Sequence, residues 1–130
     1  MQNQSMARTV LAALILWIAG VIIIRLTDHL VLVEGTGIIT GYICAALGGP
    51  PSVWICSKII GCKPDDMAVP TLIVCALALM ADGFVMEFTP TVYTDPQKIK
   101  FLAPLFLWTF GCAALSGFVM SKGSLEFKED

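Results

Sequence analysis

The chain has 130 residues, of which 57% are hydrophobic and only 14% charged, against roughly 25% charged in a soluble domain. A mean hydropathy of +0.83 excludes water as the solvent for most of its surface. A net charge of −2 without any basic run excludes nucleic acid as a partner, because neutralising phosphates needs clustered Lys and Arg.

Apolar segments of roughly 20 residues mark membrane-spanning helices, and this sequence has room for four with short connections. The prediction is an all-α integral membrane protein, a single domain over residues 1–130 with spans at about 9–26, 35–61, 69–88 and 101–120. The first runs from Val10 to Leu26, with Arg8 before it and Arg25, Asp28 and His29 at its far end. Trp17 in mid-run and the bulky exit Ile22-Ile23-Ile24 do not fit a small-residue cleavage site, so it reads as a retained helix.

The second span is interrupted by Gly48-Gly49-Pro50-Pro51. Proline removes a backbone donor and clashes with the preceding turn, so a kinked or broken helix is expected there. A discontinuous helix lining a cavity is one reading; a tolerated kink packed against its neighbours is the favoured one. The polar turn Gly61-Cys62-Lys63-Pro64-Asp65-Asp66 ends this span, and Pro70 suits the first turn of the third, where a missing N–H costs nothing. The third span stops before Pro90, Thr91 to Lys98 form a connection, Phe101 to Met120 make the fourth span, and Ser121 to Asp130 form a polar, frayed tail.

Arg8, Lys58, Lys63, Lys122 and Lys128 fall on the side that holds both termini, against Arg25, Lys98 and Lys100 on the other. The excess places both termini in the cytoplasm, with Lys58 snorkelling from the end of the second span.

Asp82 lies in an otherwise uncharged stretch from Val69 to Met86. An ionised, unpaired carboxylate inside a spanning helix costs several kcal/mol, so it normally faces a partner, a cavity or water. Arg25 falls at a similar depth and can pair with it; His29, Glu34 and Glu87 lie near the same boundary, as do Asp28, Lys98 and Lys100. The candidate polar site is therefore Asp82, Arg25, His29, Glu34 and Glu87. One reading makes Asp82 a proton or cation carrier whose protonation Arg25 or His29 sets. The favoured reading is structural, with Arg25 and Asp82 neutralising one another and the rest solvated. Asp82 and Glu87 are turned about 140° apart on a helix, a poor catalytic dyad.

The five cysteines, Cys44, Cys56, Cys62, Cys75 and Cys112, include no C-x-x-C pair and read as small apolar packing residues. With His29 the single histidine, neither haem nor catalytic zinc finds its ligands in one chain, so no cofactor or metal is expected. No G-x-S-x-G, P-loop or H-E-x-x-H pattern occurs, and no enzymatic activity is expected. Gly37 to Gly41 is a G-x-x-x-G, and Ala113 to Gly117 its small-residue equivalent; both allow close backbone approach, with packing inside the bundle favoured over packing between copies. Trp17, Trp54 and Trp108 are assigned to packing and Tyr93 to the outer interface.

The stretch Ala81-Asp82-Gly83-Phe84-Val85-Met86-Glu87-Phe88-Thr89-Pro90-Thr91-Val92-Tyr93, with Leu105 to Gly111 and Leu115-Ser116-Gly117, resembles a family of uncharacterised small bacterial four-helix membrane proteins. In that family an acid in the third helix precedes an aromatic-Pro turn, and a Leu-Trp segment opens the body of the fourth helix. The resemblance covers roughly Val69 to Met120, with looser agreement around Trp17 and Arg25; Glu87 and Thr89 depart from it. It implies a bacterial inner membrane and four spans, and it supplies no activity. Small multidrug transporters share only size and span count, since their acid lies in the first helix. Two function classes lead: a non-catalytic module or accessory subunit in the lipid bilayer with a larger membrane partner, and a homodimeric proton-coupled transporter or channel using Asp82.

Overall fold

The computed structural model describes residues 2–121. Four helices account for most of them: α1 (Gln2–Val31), α2 (Thr36–Ile60), α3 (Ala68–Phe88) and α4 (Ile99–Met120). Each is long and apolar enough to cross a membrane; the shortest, α3 with 21 residues, extends about 31 Å against a hydrocarbon thickness of about 30 Å. Among the described residues there is no strand. Short 3-10 turns at Pro64–Asp66, Pro90–Val92 and Pro96–Lys98 serve the connections. The polar tail expected after Ser121, and with it Lys122 and Lys128, lies outside the described residues.

Short connections make successive helices antiparallel. α1 packs on α2 and α3, and α4 packs on the same two, with the most extensive contact between α2 and α4. The four corners therefore run α1, α2, α4, α3 around the bundle. Its outside is apolar: Ile22, Leu26, Ile43, Leu47, Met80, Phe84 and Leu107 all point away from the interior, a surface suited to hydrocarbon rather than water.

The helix ends follow the local chemistry. Gly61 closes α2 in the left-handed region at φ 78°, which spares a side chain the usual steric cost, and the amides of Gly61 and Cys62 both reach Ser57 O at 2.9 and 3.1 Å. This is how a C-terminal turn satisfies its orphan carbonyls. Pro70 sits in the first turn of α3 as expected. α1 instead outruns its predicted end at residue 26 and carries Asp28 and His29 within the helix.

Of the two outcomes expected at Gly48 to Pro51, a kink or a break, the break does not occur. α2 continues through both prolines as a helix. Pro50 and Pro51 lack the donors that Ala46 O and Leu47 O would receive, and in the next position Ser52 turns its hydroxyl onto Gly48 O at 2.7 Å.

The interior packs in two separate clusters. One joins Ala12, Ala13, Val53, Cys56, Ile60, Met67 and Val74 toward the end holding the start of α1. The other joins Leu32, Tyr93, Leu102 and Leu105 at the opposite end. Between them small residues dominate, and they serve two purposes. Gly49 and Gly117 are contact points: an added Cβ would lie 2.8 Å from Ser116 Oγ at the first and 2.9 Å from Thr71 Cβ at the second. Gly41 of the predicted G-x-x-x-G likewise packs inside the bundle, 3.1 Å from Val31 Cβ. Gly20 and Gly48 are different, since a Cβ at either meets nothing within 4 Å.

Candidate functional site

The acid that the sequence singles out is buried, with 4% of its surface exposed. On α3 the buried positions Thr71, Val74, Cys75, Ala78 and Asp82 recur at helical spacing and form one inward stripe. A carboxyl on that stripe must find donors inside the protein. Two side chains supply them to the same oxygen: Trp17 Nε1 of α1 donates to Oδ1 at 2.7 Å, and the Tyr93 hydroxyl donates to Oδ1 from the α3–α4 connection. The second oxygen, Oδ2, has no hydrogen-bond partner among the described residues. It is not sealed off either, and Asp82 lines a cavity.

That cavity holds about 400 Å³ and is walled by all four helices, within the size range of small-molecule sites. Its walls are mostly apolar, and Asp82 is the only Asp, Glu, Lys, Arg or His among them. The void exists because Gly20, Cys44, Gly48 and Ala78 line it with side chains too short to fill the space between the two packed clusters.

Arg25 does not pair with Asp82, so the sequence expectation of a neutralised couple is not met. Its Nη1 donates to Thr91 O at 2.8 Å, on the α3–α4 connection. Asp28, one turn further, accepts from Thr94 Oγ1 at 2.7 Å and lies 3.7 Å from Lys98 Nζ. Tyr93 and Thr94 are both wholly buried. The connection thus folds down over one end of the bundle, held by Arg25 and Asp28 from α1 and by Asp82 from α3.

The other proposed members do not join this arrangement. His29 is exposed and reaches only the neighbouring Asp28, at 3.8 Å. Glu34 faces Lys100 at 3.6 Å with both side chains largely in the open, a geometry worth about 0–1 kcal/mol. Glu87 is exposed and has no partner among the described residues. Mixed charge does gather at this end, as expected, but only Asp82 enters the interior.

Two residues that the sequence reading assigned elsewhere prove central. Trp17 is not merely packing, and Tyr93 is buried, with its hydroxyl on Asp82. Both combine an apolar ring with one strong donor, which is the type of side chain a buried carboxyl recruits; that pairing logic was the available signal. Tyr93 also packs edge-on against Phe106, with centroids 5.3 Å apart.

Burial first, and then the carboxyl that its hydroxyl meets, push the Tyr93 phenol above its ordinary value of 10.0. Because the folded-state value is raised, this group's stabilisation is complete below the unfolded value and declines as pH rises above about 10. Tyr93→Phe should therefore cost about 1–3 kcal/mol at neutral pH, through the lost hydrogen bond to a charged acceptor. It should also flatten the alkaline fall in melting temperature, a comparison made by thermal unfolding between pH 8 and 11.

The fold and the site together define a four-helix bundle with a hydrogen-bonded acid on the wall of a partly open apolar cavity. Comparison with protein-family models, with curated proteins and with solved structures finds no match to this chain.

Proposed function

We propose that the protein is a multi-pass module of a bacterial inner membrane, with both termini cytoplasmic and without catalytic chemistry of its own, serving as an accessory subunit to a larger membrane protein. The observation that carries this reading is the use made of Asp82. One of its oxygens holds α1 and the α3–α4 connection against α3 through Trp17 and Tyr93, which is register-fixing work. The apolar exterior supports residence in lipid, the distribution of Lys and Arg supports the orientation, and the bacterial setting rests on the family resemblance of the second half of the chain.

A second reading is favoured by one specific feature. The unpartnered Oδ2 beside a cavity suits a homodimeric proton-coupled transporter or channel, in which Asp82 exchanges protons. Proteoliposomes with a trapped pH indicator separate the two. An accessory module gives no protein-dependent proton flux after a pH jump, and purifies in mild detergent in stoichiometric complex with its larger partner. Flux that Asp82→Asn abolishes would overturn the accessory reading in favour of transport.

A further inference from the structure

Several hydroxyl groups along the four helices follow one habit, and Thr71 in the cavity wall departs from it. Thr27, Thr40, Ser52, Thr109 and Ser116 each turn their hydroxyl back onto the carbonyl four residues earlier, at 2.7 to 2.8 Å, as polar side chains do where water is scarce. Thr71, which also lines the cavity and is 2% exposed, leaves its Oγ1 without any partner. Thr71 and Asp82 are eleven residues apart on one face of α3, a separation of about 16 Å. The cavity therefore runs along α3 between Thr71 and Asp82 with apolar walls in between; Thr71 Oγ1 is sealed in the packing against Gly117, and Asp82 Oδ2 is left open to the space. Buried polar groups are ordinarily satisfied, so an elongated apolar site with an unpartnered carboxyl oxygen at one end is unfilled in its hydrogen bonding there.

The charge pattern selects the occupant. No Lys, Arg or His lines the cavity, and Arg25, the nearest cation by sequence depth, is committed to Thr91 O. Asp82 Oδ1 is already engaged by two donors, which leaves Oδ2 as an acceptor for a charged donor from outside. The aromatic side chains Trp17, Phe106 and Phe110 line the same cavity, and aromatic rings are compatible with a bound cation. We propose that the cavity is a binding site for an alkylammonium amphiphile, whose ammonium donates to Asp82 Oδ2 while its chain lies along α3 toward Thr71. The ammonium can belong to a free long-chain amine or to the headgroup of an aminophospholipid. A ligand site of this kind goes beyond the register-fixing role of Asp82 and is read out independently of proton flux or a partner.

The test uses the whole chain in phosphatidylcholine nanodiscs, in a Trp54→Phe/Trp108→Phe background that leaves Trp17 as the reporter beside Asp82. Dodecylammonium should give a saturable shift of Trp17 emission, and dodecanol, with the same chain and no charge, should bind at least tenfold more weakly. Asp82→Asn should remove that preference. Gly20→Leu fills cavity space, since a Cβ there meets nothing within 4 Å, and leaves Asp82, Trp17 and Tyr93 in the sequence, so it should abolish the saturable response while the protein remains folded; it carries the test should Asp82→Asn fail to fold. Equal responses to amine and alcohol, or undiminished amine binding by Gly20→Leu, would overturn the proposal. Exchanging phosphatidylcholine for phosphatidylethanolamine then identifies the source. A site already filled, with emission shifted before amine is added, assigns the ammonium to the lipid; an unchanged titration assigns it to a free amine.

Discussion

Asp82→Ala is expected to destabilise the protein by about 2–5 kcal/mol, because it strips the acceptor from two donors at once. Trp17 Nε1 and the Tyr93 hydroxyl both end on Asp82 Oδ1, and each buried donor left unsatisfied costs about 1–3 kcal/mol. Asp82→Asn should cost far less, since its amide oxygen can take the place of Oδ1 and accept from both. Thermal unfolding in a fixed detergent or nanodisc ranks the two variants. An asparagine variant as unstable as the alanine one would mean that the negative charge, and not the acceptor, holds this end of the bundle. Trp17→Phe removes one donor together with its hydrogen bond and should fall between them. That ordering follows from counting which polar groups remain without partners, and it does not require Arg25.

Gly117→Val is expected to destabilise by about 1–3 kcal/mol, the usual range for overpacking a tight contact. The first atom added would lie 2.8 Å from Thr71 Oγ1 and 2.9 Å from Thr71 Cβ, and a β-branched side chain has little freedom to turn aside. Gly49→Val should behave alike, with backbone as the obstacle: its Cβ would lie 3.2 Å from Cys112 O. Together these two substitutions push α4 away from α3 and from α2. Gly83→Ala serves as the contrast. Nothing lies within 4 Å of its Cβ and the position is exposed on α3, so the change should be neutral or stabilise by up to about 1 kcal/mol through helix propensity alone. Equal losses at Gly83 and Gly117 would show that the helices do not meet at the small residues.

Much of the architecture was legible because helices long and apolar enough to cross a membrane carry their signal in composition. Four apolar runs, Pro70 near one helix start and Pro90 just past another end needed no tertiary information to interpret. The limits of α1 were harder. Arg25, Asp28 and His29 resemble an exit from a span, yet the helix persists to Val31 because Thr91, Thr94 and Lys98 of a distant connection meet Arg25 and Asp28. Pro50 and Pro51 likewise left a kink and a break both open, and the helix continues through them.

The site divides in the same way. A lone acid within an apolar run identifies itself, and Asp82 is indeed buried. Its partners do not identify themselves, because charge complementarity points to Arg25, whereas the fold supplies neutral donors from Trp17, 65 residues away, and Tyr93, eleven away. Opposite charges at similar depth establish only that two groups share a slab of membrane. Which of them face one another depends on how each helix is rotated, and that rotation is set here by glycine contacts and by the docking of Tyr93.

The ties made by α1 also impose an order on assembly. Trp17 reaches Asp82, Arg25 reaches Thr91 and Asp28 reaches Thr94, all across some 65 residues of chain. None of these partners exists while the first two helices are emerging from the ribosome. Closing such long loops makes folding slow and dependent on the complete chain, so α1 and α2 alone are a hairpin whose indole, guanidinium and carboxylate wait for the second half of the sequence. A chain interrupted before residue 82 would leave all three without these partners, a ready mark by which quality control could tell a finished molecule from an unfinished one.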